Sequence, residues 1–138
     1  MSEENVEVVR RTYEVFEEQG ANEQAVFALI EDGLMDPDVE LDLRNAYPDG
    51  GVVRLATMSE YLETEPWGRS ISFEPESFRA IGADQVLTFV RLRVIGTEGG
   101  IEVAGRTAHL ATLRERRVIR VEVFTDRRKA LEAAGLRE

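Results

Sequence analysis

The sequence predicts an α+β fold, in which short helices come first and a long, curved, mainly antiparallel sheet follows. Two observations carry this prediction. Apolar residues in the first 33 positions recur every three or four residues, the period of a helix, whereas from residue 71 onward they recur every two, the period of a strand. The later alternating runs are joined by short connections, which suit an antiparallel meander, because parallel strands need longer crossovers.

Val6, Val9, Tyr13 and Phe16 share one face of the first helix, with Val8, Thr12 and Val15 beside them. Ser2 can cap its start and Gly20 can end it. A second helix runs from the cap Asn22 through Val26, Leu29 and Ile30 to Gly33, and Asp36-Pro37-Asp38 forms a turn. Val39, Leu41 and Leu43 then alternate with Glu40, Asp42 and Arg44, the pattern of a half-buried strand. Residues 45–56, with Pro48-Asp49-Gly50-Gly51, are loop-like, with a short strand at Val52-Val53-Arg54-Leu55. Thr57-Met58-Ser59-Glu60 has the spacing of a capping box, so a third helix is expected to carry Tyr61 and Leu62 toward Pro66 and Trp67.

Four strands follow, at Ile71–Ala80, Gln85–Ile95, Ile101–Arg114 and Val118–Thr125, and Pro75 marks a bulge or an edge position in the first of them. A last helix begins at the cap Asp126, carries Ala130, Leu131 and Ala134, and stops at Gly135. No internal repeat or linker divides the chain, so residues 1–138 are expected to form one domain.

Composition excludes several classes. With 17 Lys and Arg against 27 Asp and Glu, the net charge of −10 argues against nucleic acid as the main partner. Residues 1–65 hold 17 acidic and 4 basic side chains, while residues 66–138 hold 10 and 13. Arg114, Arg116, Arg117, Arg120, Arg127 and Arg128 are most simply a solvated turn and helix face. Lys129 is the only lysine, a bias toward arginine codons that fits a GC-rich bacterial genome. No apolar run has the length of a membrane span, and the start lacks the basic and apolar regions of a signal peptide, so a cytoplasmic location is expected. Without cysteine there is no disulfide, thiolate nucleophile or Cys-ligated metal. GxGxxG, P-loop, GxSxG and HExxH patterns are all missing, and one His with scattered acids makes no metal site; neither cofactor nor metal is expected.

The last two strands hold the candidate chemistry. If Glu115-Arg116 form a two-residue hairpin, Arg114 faces Arg117 and His109 falls opposite Glu122, although Glu-Arg is not a favoured turn. On that register one face carries His109 with Val118, Arg120, Glu122 and Phe124, and the other carries Leu110 with Ile119, Val121 and Val123. Both faces are apolar enough to need a cover, so a homodimer through the outer face is expected. His109 is the only histidine, and a neighbouring carboxylate would raise its pKa and orient it as a general acid or as a donor to an anionic oxygen. A lone His on an apolar strand is nonetheless more often a packed core residue.

The run Val8-Val9-Arg10-Arg11-Thr12-Tyr13, the segment Asp36-Pro37-Asp38-Val39-Glu40, and the ending His109-Leu110-Ala111-Thr112-Leu113-Arg114, Val118-Ile119-Arg120, Phe124-Thr125-Asp126 and Ala130 to Gly135 resemble the SnoaL-like branch of the nuclear-transport-factor-2-like superfamily. Ketosteroid isomerases and polyketide cyclases are relatives. The resemblance covers nearly the whole chain and implies a strongly bent sheet wrapped on N-terminal helices, a cone of cystatin-like shape with an apolar pocket, usually dimeric through the outer face of the sheet. It implies that Tyr13 matches the helix-1 tyrosine that donates to the substrate oxygen, and that His109 stands where isomerases keep a protonated aspartic acid. The isomerase's general base corresponds to Leu43, which takes no proton, and strand alternation points the adjacent Asp42 to the other face. Classical steroid isomerisation is therefore disfavoured, and Glu122, or Asp42 after a bulge, is left as the candidate base.

The reading that results is a cone that binds a small, largely apolar carbonyl or phenolic molecule. Tyr13, His109 and Glu122 are the candidate catalytic residues, and Phe16, Tyr61, Trp67 and Phe124 the candidate pocket wall. If it is an enzyme, the chemistry is cofactor-free proton transfer, an isomerisation or a cyclisation. The rival is a non-catalytic ligand-binding or partner-docking domain in which Tyr13 and His109 only pack. An epoxide hydrolase would need an acid–arginine–acid set that the sequence does not place.

Overall fold

The structure, a computed structural model, describes residues 2–19, 23–46, 51–54, 71–95 and 102–136. Helices α1 (Ser2–Gln19) and α2 (Glu23–Glu31) precede strands β1 (Met35–Asp42), β2 (Val52–Arg54), β3 (Ile71–Ile81), β4 (Gln85–Ile95), β5 (Glu102–Arg114) and β6 (Arg117–Phe124), and helix α3 (Arg127–Ala133) follows. The expected helix after Thr57 lies outside the described residues, and so do Tyr61 and Trp67.

The helices follow the apolar period; Ser2, expected as a cap, is already the first helical residue of α1, and the expected stop Gly20 and cap Asn22 lie outside the described residues. Glu3 and Glu4 sit in the first turn of α1, where the helix dipole favours acids. Asn5 ties α1 to the β3–β4 turn by donating from Nδ2 to the Ala83 carbonyl at 2.9 Å. Helix α2 buries Ala25, Val26 and Leu29. It ends as Gly33 predicts, at φ 75°, with the Gly33 N–H donating to the Ile30 carbonyl and the Leu34 N–H to that of Leu29. Gly135 closes α3 in the same way at φ 77°, and the Asp126 carboxylate caps its start by accepting from the Arg128 N–H at 2.9 Å.

The six strands form one curved sheet in the order β2-β1-β6-β5-β4-β3. All neighbours are antiparallel except β1 and β6, which run parallel. Pro75 sits on the edge strand β3, at a register shift between Pro75 and Ser77, so both readings of that proline hold.

The β5–β6 hairpin corrects the expected register. Its turn is the two-residue one, with Glu115 at φ 53° and Arg116 at φ 65°, and Arg114 pairs with Arg117 and Leu113 with Val118. The ladder then skips Ile119, so that Thr112 pairs with Arg120, Leu110 with Glu122, and His109 with Val123. Glu122 is therefore not opposite His109; it stands on the other face of the sheet. Burial explains the slip. A ladder without the bulge would turn Arg120 and Glu122 into the apolar layer beneath the helices, where unpaired charges are costly, whereas the bulged one turns in Val118, Val121 and Val123.

The two faces have different covers. Helices α1 and α2 lie on the inner face, where Val8, Val9, Tyr13, Val26 and Leu29 pack against Val86, Val90, Ala111, Leu113 and Val118. On the outer face Leu87, Ala108, Leu110 and Phe124 pack beneath Ala130 and Leu131 of α3, its C-cap Ala134, and Leu136. The chain itself thus supplies part of the outer cover that the sequence assigned to a second copy.

Candidate functional site

Tyr13 and His109 meet between α1 and the inner face of the sheet. The phenol oxygen and His109 Nδ1 lie 2.6 Å apart, and the two residues keep only 7% and 9% of their surface exposed. Their rings are close to parallel, with centroids 5.9 Å apart. Phe73 meets the imidazole edge-on at 5.7 Å, Phe78 lies 6.0 Å from Tyr13, and Phe16 packs on Phe73 at 6.0 Å. The result is a polar pair inside a cluster of aromatic rings.

Thr88 lies directly across the strand from His109. Its hydroxyl is buried and makes no well-formed hydrogen bond among the described residues, yet it lies near enough to the phenol to favour the ionised form slightly. Burial dominates all the same and pushes the Tyr13 hydroxyl well above its ordinary pKa. Burial also pushes His109 down from 6.5 to about 4. Both groups are therefore neutral at pH 7, and among the described residues no carboxylate pairs with the imidazole. The raised histidine pKa expected from Glu122 is not found, because the bulge has moved that carboxylate away.

The remaining expected residues divide between the two sides. Phe16 joins the aromatic cluster. Phe124 does not: it pairs with Ala108 and is buried on the outer face against α3. Thr88, Phe73 and Phe78 are the residues the sequence reading missed. Thr88 shares the inward face of β4 with Val86 and Val90, whereas Phe73 and Phe78, five residues apart, reach that face together only through the register shift between Pro75 and Ser77, for which Pro75 was the signal.

The outer face holds a second polar constellation. Asp42, 1% exposed, accepts from Arg44 Nη2 at 2.6 Å, Arg44 Nε at 2.9 Å, the Arg44 N–H at 3.0 Å and Arg120 Nη2 at 2.5 Å. The Arg44 guanidinium, then the backbone N–H and Arg120, hold this carboxyl well below the usual carboxylate range against the opposing cost of burial. Arg120 also lies 3.5 Å from Glu40 and 3.9 Å from Glu122. This is an acid–arginine–acid set, but it stands across the sheet from His109 and already satisfies Asp42, so it reads as a clamp on the parallel β1–β6 pair. Among the described residues no group of His, Asp and Glu is arranged to hold a metal ion, and no helix is long and apolar enough to cross a membrane.

No protein-family model matches the chain, and no curated relative matches it in sequence. Solved structures do match. TerC, co-crystallised with polyporic acid, superposes with a TM-score of 0.65 at 24% identity over 96% of this chain and 98% of that one. A putative SnoaL-like polyketide cyclase from Jannaschia sp. gives 0.66 at 22% identity, covering 99% and 95% of the two chains. A nuclear-transport-factor-2-like protein of unknown function from Burkholderia pseudomallei gives 0.66 at 18% identity, covering 94% and 95%. The chain has the nuclear-transport-factor-2-like fold. The Tyr13–His109 pair lies between α1 and the helix-covered inner face of the sheet.

Proposed function

We propose that the protein binds a small, largely apolar carbonyl or phenolic molecule on the inner face of the sheet, with no cofactor. The observation that supports this is the neutral Tyr13–His109 hydrogen bond set among Phe16, Phe73 and Phe78. In this reading the phenol donates to Nδ1, which fixes the imidazole as the tautomer that carries its proton on Nε2 and leaves that N–H to donate to a ligand oxygen. A neutral donor in aromatic surroundings favours a carbonyl or a phenol oxygen over a fully charged carboxylate, whose desolvation the site would not repay. The co-crystallisation of TerC, a protein of similar fold, with polyporic acid supports this reading. Binding is favoured over proton transfer because Glu122 and Asp42, the two bases the sequence offered, both lie on the opposite face, where Asp42 is held by Arg44 and Arg120.

The test is equilibrium binding of a planar phenol to wild type, Tyr13→Phe and His109→Gln, after circular dichroism shows that all three are folded. Each substitution is expected to weaken binding by about 1 kcal/mol or more, the order of one hydrogen bond, or roughly fivefold. Folded wild type that binds neither a phenol nor an α,β-unsaturated ketone overturns the reading.

A further inference from the structure

A cluster of arginines on the outer face has no role in the site above. Along β4, Phe89, Arg91 and Arg93 point outward in a row, and Arg106 of β5 lies directly opposite Arg91. Arg127, at the start of α3, lays its guanidinium over the Phe89 ring at 4.5 Å. Among the described residues, Glu76 accepts from Arg127 Nη2 at 2.5 Å, and Glu74 lies 3.7 Å from Arg93. Arg91 and Arg106 have no ion pair within 4 Å among the described residues, and the buried Nε of Arg127 has no hydrogen-bond partner there.

Three features set this cluster apart from a solvated surface. Like charges placed directly opposite each other on neighbouring strands repel, and the chain as a whole is acidic, so a local cationic surplus is unusual in it. The Arg127 guanidinium is held in place by Phe89 and Glu76 and is not free to swing into water. The cations also converge: Glu76 titrates low because Arg127 binds it, with Arg106 and Arg91 adding to the effect through space.

We propose that Arg91, Arg106 and Arg127 form an oxyanion site on the outer face, which takes a phosphate or carboxylate group of a small-molecule ligand. Guanidinium groups suit both anions, since their planar donors match two oxygens at once. The site stands across the sheet from Tyr13 and His109, so it works independently of them.

The test compares thermal unfolding and calorimetric titration in phosphate or citrate with chloride at matched ionic strength. Wild type is expected to unfold at a higher temperature in phosphate or citrate than in chloride, as binding to the folded state requires. Arg91→Gln and Arg106→Gln are each expected to weaken the apparent affinity about tenfold, the order of a lost charge-assisted hydrogen bond. Arg106→Lys should retain part of it, and Arg54→Gln, on the distant strand β2, should leave it unchanged. In chloride alone, Arg106→Gln should be at least as stable as wild type, because it removes a repulsion. The proposal is overturned if wild type responds equally to all three salts, or if Arg106→Gln responds as wild type does. A dimer that phosphate dissociates and Arg106→Gln abolishes also overturns it, because the anion is then a carboxylate of a second copy.

Discussion

His109 makes the pH dependence of stability a direct probe of the buried pair. Its pKa falls from 6.5 to about 4 on folding. As pH drops below 6.5 the unfolded chain takes up a proton at this imidazole and the folded chain does not, so the unfolded state gains. The stability that the neutral histidine provides is complete above pH 6.5, declines through the interval down to about 4, and is fully lost below it. A shift of this size corresponds to about 3 kcal/mol in total, of which about 2 kcal/mol falls between pH 7 and pH 5. Because His109 is the only histidine, that window holds few other titrations. The assay is denaturant unfolding of wild type and His109→Gln at half-unit steps from pH 7.5 to 4.5, scored as the difference between the two. The subtraction removes the relief of acidic self-repulsion that the net charge of −10 produces on acidification. Parallel curves for the two proteins would refute the argument, since they would show that the imidazole accepts its proton as easily in the fold as in water.

Two further outcomes are expected from the sheet. Asp42→Asn removes the charge beneath two guanidiniums and should cost about 2–3 kcal/mol, less than a fully buried pair because Arg44 is 60% exposed. Denaturant unfolding at pH 7 measures this loss. The advantage of wild type is present above pH ~4 and should shrink as pH falls below it, since the folded carboxyl titrates lower than the unfolded one. Arg116→Gly should stabilise the hairpin by about 0.5–1 kcal/mol, because Arg116 holds φ 65° without the freedom of glycine and its exposed pair with Glu4 contributes little. Thermal unfolding would show a rise of a few degrees.

The sequence made most of the fold legible because its devices are local. Gly33 and Gly135 ended their helices, Asp126 capped α3, and alternation marked every strand but β1 within one or two residues of its ends. Strand β1 begins four residues early, at Met35, because Asp36-Pro37-Asp38, expected as a turn, continues the strand through a register shift between Met35 and Glu40. The inner site was half legible. Tyr13 and His109 could be named, but their contact joins residues 96 apart and rests on how α1 packs across β3 and β5. Glu122 was misplaced by a one-residue bulge, and a bulge leaves only an indirect trace. The trace was there in Val118, Val121 and Val123, whose spacing of three and then two breaks the strand period at Ile119. Phe124 was misplaced by the same slip, and α3 then claimed it.

The strand order has a consequence for how the chain reaches this structure. During synthesis β1 is complete long before β6, its only neighbour toward the centre of the sheet; Leu41 must find Val121, 80 residues further along. Helices α1 and α2 likewise wait for the surface they cover. The meander from β3 to β6 is joined by short connections and can assemble first, so docking of the N-terminal half carries the larger loop-closure cost. The 17 acidic against 4 basic side chains of residues 1–65 then act before folding ends: they keep the waiting segment mutually repelling and solvated, while Val39 and Leu41 are still without a partner.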